Sequence, residues 1–201
     1  SVSARNEKWS VIYEKAIKED GTYWFQERLN QEFLDRAKKI MGTRIFANQY
    51  LNEIFPAEDA VFKESWFRYY LDLPARLSTV AFIDPAISQE DGADYTGVTV
   101  VSGDEKQNWY IRLAFRKRMT PTEIINLLFD LKKNYNPDVI GVEDVAYQKA
   151  LLYMAHEEMQ RRGEFLPLTG VHHGNQKTKE MRIAGALVPR MEWGFLHFPI
   201  G

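Results

Sequence analysis

Two acidic residues each close a short apolar run, Asp84 at the end of STVAFID and Glu143 at the end of DVIGVE. The carboxyl ends of strands are where ligands of open α/β sheets gather. If the two runs are parallel neighbours in one sheet, Asp84 and Glu143 converge at one edge of it. Anions held close together repel, and divalent cations between them relieve the repulsion. Ligation by oxygen alone favours Mg²⁺ or Mn²⁺. Two such ions can align a water and a leaving oxygen for in-line displacement at phosphorus. The chemistry this pattern points to is phosphodiester hydrolysis, with Asp84 and Glu143 as metal ligands and catalytic carboxylates. The competing reading of either acid is an ordinary turn or helix-cap residue.

Other residues could support such a centre. Asp94 precedes the next β-patterned run and is either an additional ligand or a turn acid; Asp144, beside Glu143, is either a ligand or the N-cap of the following helix. His172 and His173 stand before a basic stretch, HHGNQKTK, and imidazole can bind Mn²⁺; surface polar residues are the alternative. Lys179 and Arg182 lie one helical turn apart, where they could face a scissile phosphate or form a solvated helix face. Arg116, Lys117 and Arg118 end a β-patterned run, and with Lys177 they could grip a DNA backbone; charge protecting an edge strand is the competing explanation for the triplet.

The elements that must position these residues follow from periodicity. Asn30 can cap a helix with Phe33, Leu34, Ala37 and Ile40 on one face, and Gly42 is placed to end it. The segment RIFANQYLNEIFPAEDAVFKESWFRYY shows no sustained alternation and is expected to be an extended arm, closed by Pro74. From Ser78 the pattern turns β: STVAFID, YTGVTVVSG and QNWYIRLAFRKR are expected to form three antiparallel strands in a meander. Thr120, Pro121 and Glu123 form a capping box opening a helix with Ile124, Leu127, Leu128 and Leu131 inward. Asn136-Pro137 breaks it, and DVIGVED reads as a buried strand. A helix over roughly Tyr147 to Arg162, with Leu151, Leu152, Ala155 and Met159 inward, stops at Gly163. EFLPLTGVHH supplies a fifth strand and KTKEMRIAGALVPRM a third helix, before a last extended piece in WGFLHFPIG. The expected order is β-β-β-α-β-α-β-α, an α/β mixed sheet flanked by helices, behind a helical N-terminal arm. The division expected is residues 1–75 as arm and 76–201 as domain.

Composition narrows the partners. A chain of 201 residues with 45% hydrophobic content suffices for one ordinary domain and an appendage. With 26 Lys plus Arg against 28 Asp plus Glu the net charge is −2, which excludes nucleic-acid binding through bulk positive charge. Any basic surface must be local. Absence of cysteine removes thiolate metal sites and cysteine nucleophiles and fits a reducing compartment. No apolar run reaches transmembrane length, the first residues lack the apolar core of a signal peptide, and no phosphate-loop or dinucleotide-binding motif occurs. The expectation is a soluble, intracellular chain without membrane contact.

Over most of its length the sequence resembles the nuclease domain of tailed-bacteriophage large terminases, the DNA-packaging motor subunit. IFANQYLNE and FKESWFRYY resemble the segment leading out of the motor ATPase domain. FIDPA with ADYTG resembles the first catalytic block, and GVEDVAYQKAL the second. KTKEMRIAGALVPRMEWGFLHF resembles the block that carries a Lys-x-x-Arg pair. The resemblance implies a ribonuclease H-like fold and metal-dependent cleavage of concatemeric double-stranded DNA by two divalent ions, Mg²⁺ or Mn²⁺. Asp84 and Glu143 would be two ligands of a carboxylate triad, and Lys179 and Arg182 the positive helix pair. It also implies the portal protein and the small terminase subunit as partners and the host cell cytoplasm as location. The family's third carboxylate lies in an Asp-rich block beyond the strand that reads GFLHF here, so it is expected outside this sequence. A junction-resolvase-like or transposase-like nuclease, and a non-catalytic DNA- or portal-docking module, are the alternatives.

Overall fold

Alternation of apolar side chains builds the centre of the sheet. The structure, a computed structural model, describes residues 13–53, 61–85, 95–143, 146–171 and 179–200, with the backbone course alone for 146–149 and 179–180. In β2 (Ser78–Asp84), Thr79, Ala81 and Ile83 are buried in alternation, and in β3 (Thr96–Gly103) Thr96, Val98, Val100 and Ser102 are. This is the period of two that puts one set of residues against a core. β2 pairs antiparallel with β3, and β3 antiparallel with β4 (Trp109–Lys117), so the expected meander forms. β5 (Val139–Glu143) lies parallel to β2, and β6 (Leu168–Val171) parallel to β5.

Two additional strands extend the sheet. β7 (Leu196–Pro199) pairs parallel with β4 at Trp109 and Tyr110, and β1 (Arg68–Tyr70) pairs parallel with β7, giving the order β1-β7-β4-β3-β2-β5-β6. Part of the segment expected as an extended arm is therefore a strand of the sheet. Its FRYY run is short, and its hydrogen bonds go to residues far along the chain, so local pattern alone does not reveal it.

Helices α2 (Pro121–Tyr135) and α3 (Ala146–Arg162) cover one face of the sheet. The capping box of α2 forms as expected: the Thr120 hydroxyl accepts from the Glu123 N–H at 3.2 Å, and the Glu123 carboxylate accepts from the Thr120 N–H at 2.8 Å. Asn136, in the left-handed conformation, ends the helix. The buried face of α2 is broader than expected, since Ile125 and Phe129 join Ile124, Leu128 and Leu131 while Leu127 is partly buried. Leu151, Ala155 and Met159 of α3 complete this core, and each fully buried Leu or Ile contributes roughly 1.5–3 kcal/mol. The buried hydroxyls of Thr79 and Ser102 pair at 2.8 Å, so neither is left unsatisfied in it.

The chain divides into two compact units, Glu64–Arg182 with Gly194–Gly201, which holds the sheet, and Ser1–Lys63 with Ile183–Trp193. In the latter, α1 (Gln31–Tyr50) begins at the expected cap, with the Asn30 side chain accepting from the Phe33 N–H at 2.9 Å. Gly42 interrupts it at the expected place. Its φ of 80° and ψ of 161° kink the chain, a conformation glycine adopts without a Cβ penalty, and helix resumes to Tyr50. The residues expected as extended over 44–50 are thus helical. A Cβ at Gly42 would lie 3.2 Å from the Glu192 carboxylate, which accepts from the Thr43 N–H at 2.8 Å. The buried side is Leu34, Ala37, Phe46 and Ala47, while Phe33 and Ile40, expected inward, are exposed. Helix α4 (Lys179–Glu192) follows β6 in chain order.

Candidate functional site

The register of β2 against β5 decides where the two acids lie. Val80 pairs with Val139, Ala81 with Ile140, Phe82 with Gly141 and Ile83 with Val142. The next step of the same register sets Asp84 beside Glu143, each the last residue of its strand. Adjacent strands are about 4.8 Å apart. Ile83 and Val142 point into the core beneath α2 and α3, so alternation turns Asp84 and Glu143 to the opposite face. Both residues are partly buried.

Beneath the pair the sheet is tightly filled. A Cβ at Gly141 would come within 2.9 Å of the Phe82 ring and 3.1 Å of the Val171 side chain. Glycine at this position lets the Phe82 ring lie over β5, two residues before Asp84 and Glu143 alike. Glu143 itself is paired in register with Val171 of β6.

On the other side of Asp84 lies β3. Asp84 pairs with Gly97, and Gly97 pairs with Arg116. Directly paired residues share a face, and a Cβ at Gly97 would sit 3.8 Å from the Asp84 Cβ. One row across the sheet therefore reads Arg116, Gly97, Asp84, Glu143. Arg116 and Arg118 both stand over the Tyr95 ring, 5.0 and 5.3 Å from its centroid. Lys117, one residue out of phase, reaches Glu123 of α2 at 3.7 Å. The basic triplet is thus split by strand alternation, two arginines on the face of the acids and the lysine on the helix side.

The opposite end of the β2–β5 seam carries a third carboxylate. Asp138 Oδ2 accepts from the Ser78 hydroxyl and from the Thr79 N–H, both at 2.8 Å. The Thr79 amide first, and the Ser78 hydroxyl second, hold the Asp138 carboxyl below its ordinary range.

Of the remaining candidates, Asp94, Asp144, His172, His173 and Lys177 lie outside the described residues. Lys179 opens α4, and its side chain is likewise outside them. Arg182, one turn on, is partly buried, and its Nε is buried with no hydrogen-bond partner among the described residues. No group of three or more His, Asp or Glu residues placed to hold a metal occurs among the described residues. Sequence reading did not single out Tyr95, Gly97 or Gly141. The first two stand in the ADYTG block, but their roles depend on pairing with β2 and β4, which no local spacing reveals.

The first three strands of the central sheet, then the fourth and fifth, lie in the order third, second, first, fourth, fifth, with β3 alone antiparallel among the described central strands. That arrangement, with helices following the third, fourth and fifth strands, defines a ribonuclease H-like α/β domain. No family model and no curated protein sequence matches the chain. Among solved structures, the nuclease domain of the P22 large terminase is similar at 10% identity, over 69% of this chain and 70% of that one, with a TM-score of 0.47. The nuclease domain of the large terminase subunit gp2 of bacterial virus Sf6, described with manganese and β-thujaplicinol, is similar at 14% identity over 70% and 74%, with a TM-score of 0.46. Thermus thermophilus RuvC in complex with a Holliday junction substrate is similar at 18% identity over 56% and 77%, with a TM-score of 0.38.

Proposed function

We propose that the chain carries the nuclease domain of a viral DNA-packaging terminase large subunit, an endonuclease that hydrolyses phosphodiester bonds of concatemeric double-stranded DNA. Residues 1–75 are read as the arm leading from a motor domain, apart from β1, which belongs to the sheet, and 76–201 as the nuclease domain. The observation that carries this reading is the placement of Asp84 and Glu143 side by side, in register, at the carboxyl ends of two parallel strands. The ADYTG, GVEDVAYQKAL and Lys-x-x-Arg blocks agree with it. The portal protein and small terminase subunit as partners, and the host cytoplasm as location, belong to the same proposal.

The donor chemistry fits a hard divalent cation: two carboxylates, oxygen donors only, with no side chain at neighbouring Gly97. Asp84 and Glu143 would hold Mg²⁺ or Mn²⁺, two ions in the full proposal. Such ions, when bound, supply Lewis-acid polarisation of a phosphoryl oxygen and a lowered water pKa. The chain's own contribution is rigidity. β2 and β5 are central strands, each paired on both sides, and the Phe82–Gly141 packing fixes the surface two residues before the acids. The carboxylates are thereby set in position before substrate arrives, which avoids reorganisation during reaction.

Nicking of supercoiled plasmid in Mn²⁺, with linear duplex and four-way junction as competing substrates, tests the reading. Nicking is expected for the parent chain and lost in Asp84→Asn and Glu143→Gln variants that melt as the parent does. Parent-level nicking by folded variants overturns the assignment. Preference for the junction over duplex would move the chain to the resolvase class.

A further inference from the structure

The arginines that share a face with the acids have a specific geometry. Arg116 and Arg118 are exposed, and both stack on one ring, that of Tyr95, which is 50% exposed. No carboxylate among the described residues pairs with either guanidinium. Each contact to the ring is a cation–π interaction. Two like charges gathered on one ring repel each other, and an anion bound between them removes that cost.

Their position says which anion. Among the described residues β4 is paired with β7 only at Trp109 and Tyr110, so its far end, including Arg116, is an edge paired there with β3 alone. From Arg116 the row crosses Gly97 to Asp84 and Glu143. Two strand spacings separate Arg116 from Asp84, about 10 Å of sheet surface. Gly97 contributes no side chain between them. A polyanion whose one phosphate lies at the acids would pass over Gly97 and bring flanking phosphates to the guanidiniums, whose planar donor fork suits phosphate.

We propose that Arg116 and Arg118, held by Tyr95, form a clamp for the DNA backbone phosphates flanking the one at Asp84 and Glu143, with Gly97, which carries no side chain, in the row between. The inference rests on the nuclease reading for its substrate. It narrows the basic triplet to two members, since Lys117 is turned to Glu123. Arg116 and Arg118 are substrate-binding residues, and Tyr95 is a positioning residue acting through them.

The test is fluorescence anisotropy of the full chain with a short fluorescein-labelled DNA duplex, in EDTA, across a NaCl titration. Each phosphate contact contributes about 0.9 to the slope of log affinity against log salt. Arg116→Ala and Arg118→Ala should each flatten the slope by about that amount and weaken binding severalfold. Lys117→Ala removes the same charge from the same strand on the other face and should leave the slope unchanged. Tyr95→Ala should weaken binding like the loss of one arginine, and Tyr95→Phe should restore it.

Equal flattening by Lys117→Ala overturns the clamp in favour of diffuse charge. An unchanged slope in both arginine variants overturns it outright, as does a parent chain that does not bind duplex. Parent-like affinity in Tyr95→Ala overturns the part assigned to the ring. Failure here is distinguishable from failure of the nuclease reading. The slopes are measured without metal or cleavage, whereas the nuclease reading stands or falls with nicking by the Asp84 and Glu143 variants.

Discussion

The seam between β2 and β5 has carboxylates at both ends, and the two ends use them differently. At the amino end of β2, one oxygen of Asp138 takes the Ser78 hydroxyl and the Thr79 amide, both at 2.8 Å, and so fastens the strands. At the carboxyl end, the register brings Asp84 and Glu143 beside each other, in the row of Gly97. A carboxylate that accepts from donors stabilises the fold, and two carboxylates brought together repel each other, a cost that a cation between them relieves. The same two strands thus carry a structural acid at one end and a candidate reactive pair at the other. Residue type does not separate the two cases. The neighbours in register do.

The comparison is broken most directly at the carboxyl end. Asp84→Asn and Glu143→Gln remove a charge each without removing volume. If the pair holds the metal, nicking in Mn²⁺ should fall on the order of 100-fold or more in each, about 3 kcal/mol of transition-state stabilisation. Melting temperature in EDTA separates loss of chemistry from loss of fold in both variants. A fall in melting temperature there, comparable to that of an Asp138 variant, would make these acids structural and erase the difference between the ends.

A second, smaller effect belongs to the packing between the ends. Gly141→Ala puts a Cβ within 2.9 Å of the Phe82 ring, a contact that side-chain or backbone movement must relieve. Overpacking of this kind costs about 1–3 kcal/mol, or roughly 3–10 °C in melting temperature for a domain of this size. Gly185→Ala in α4, where nothing lies within 4 Å of the added atom, is the matched control and should hold or raise the melting temperature. Equal losses in the two variants would show that glycine at 141 is not required by Phe82.

Much of this was legible in sequence, and what was not has one physical origin. The meander, the capping box at Thr120, the stops at Asn136 and Gly163 and the acids at the ends of two apolar runs are local patterns with local causes. The partners of β1 and β7, the second helical segment of α1 beyond Gly42 and the splitting of Arg116 and Arg118 from Lys117 depend on residues far away in the chain. Hydrophobic alternation reports which residues face a core. It does not report which strand lies alongside, and a one-residue change of register would exchange Arg116 for Lys117 at the candidate site.

The smallest effect is expected at the amino end, and its pH dependence separates it from the rest. The native pKa of Asp138 lies below its ordinary value of 3.8 because the ionised carboxylate accepts from Thr79 and Ser78. A carboxyl depressed on folding stabilises the native state above its unfolded pKa, and that contribution fades as pH falls through the folded pKa. Asp138→Asn should therefore lower the melting temperature modestly at neutral pH, less than Gly141→Ala does. The gap to the parent should close below about pH 4, as the parent carboxylate takes up its proton. Asp138 is exposed, so added salt screens its charge, but the two hydrogen bonds remain. A gap that persists unchanged into acid would assign the loss to the shape of the side chain and not to its charge, and Asp138 would no longer be the charged counterpart of the pair at the other end.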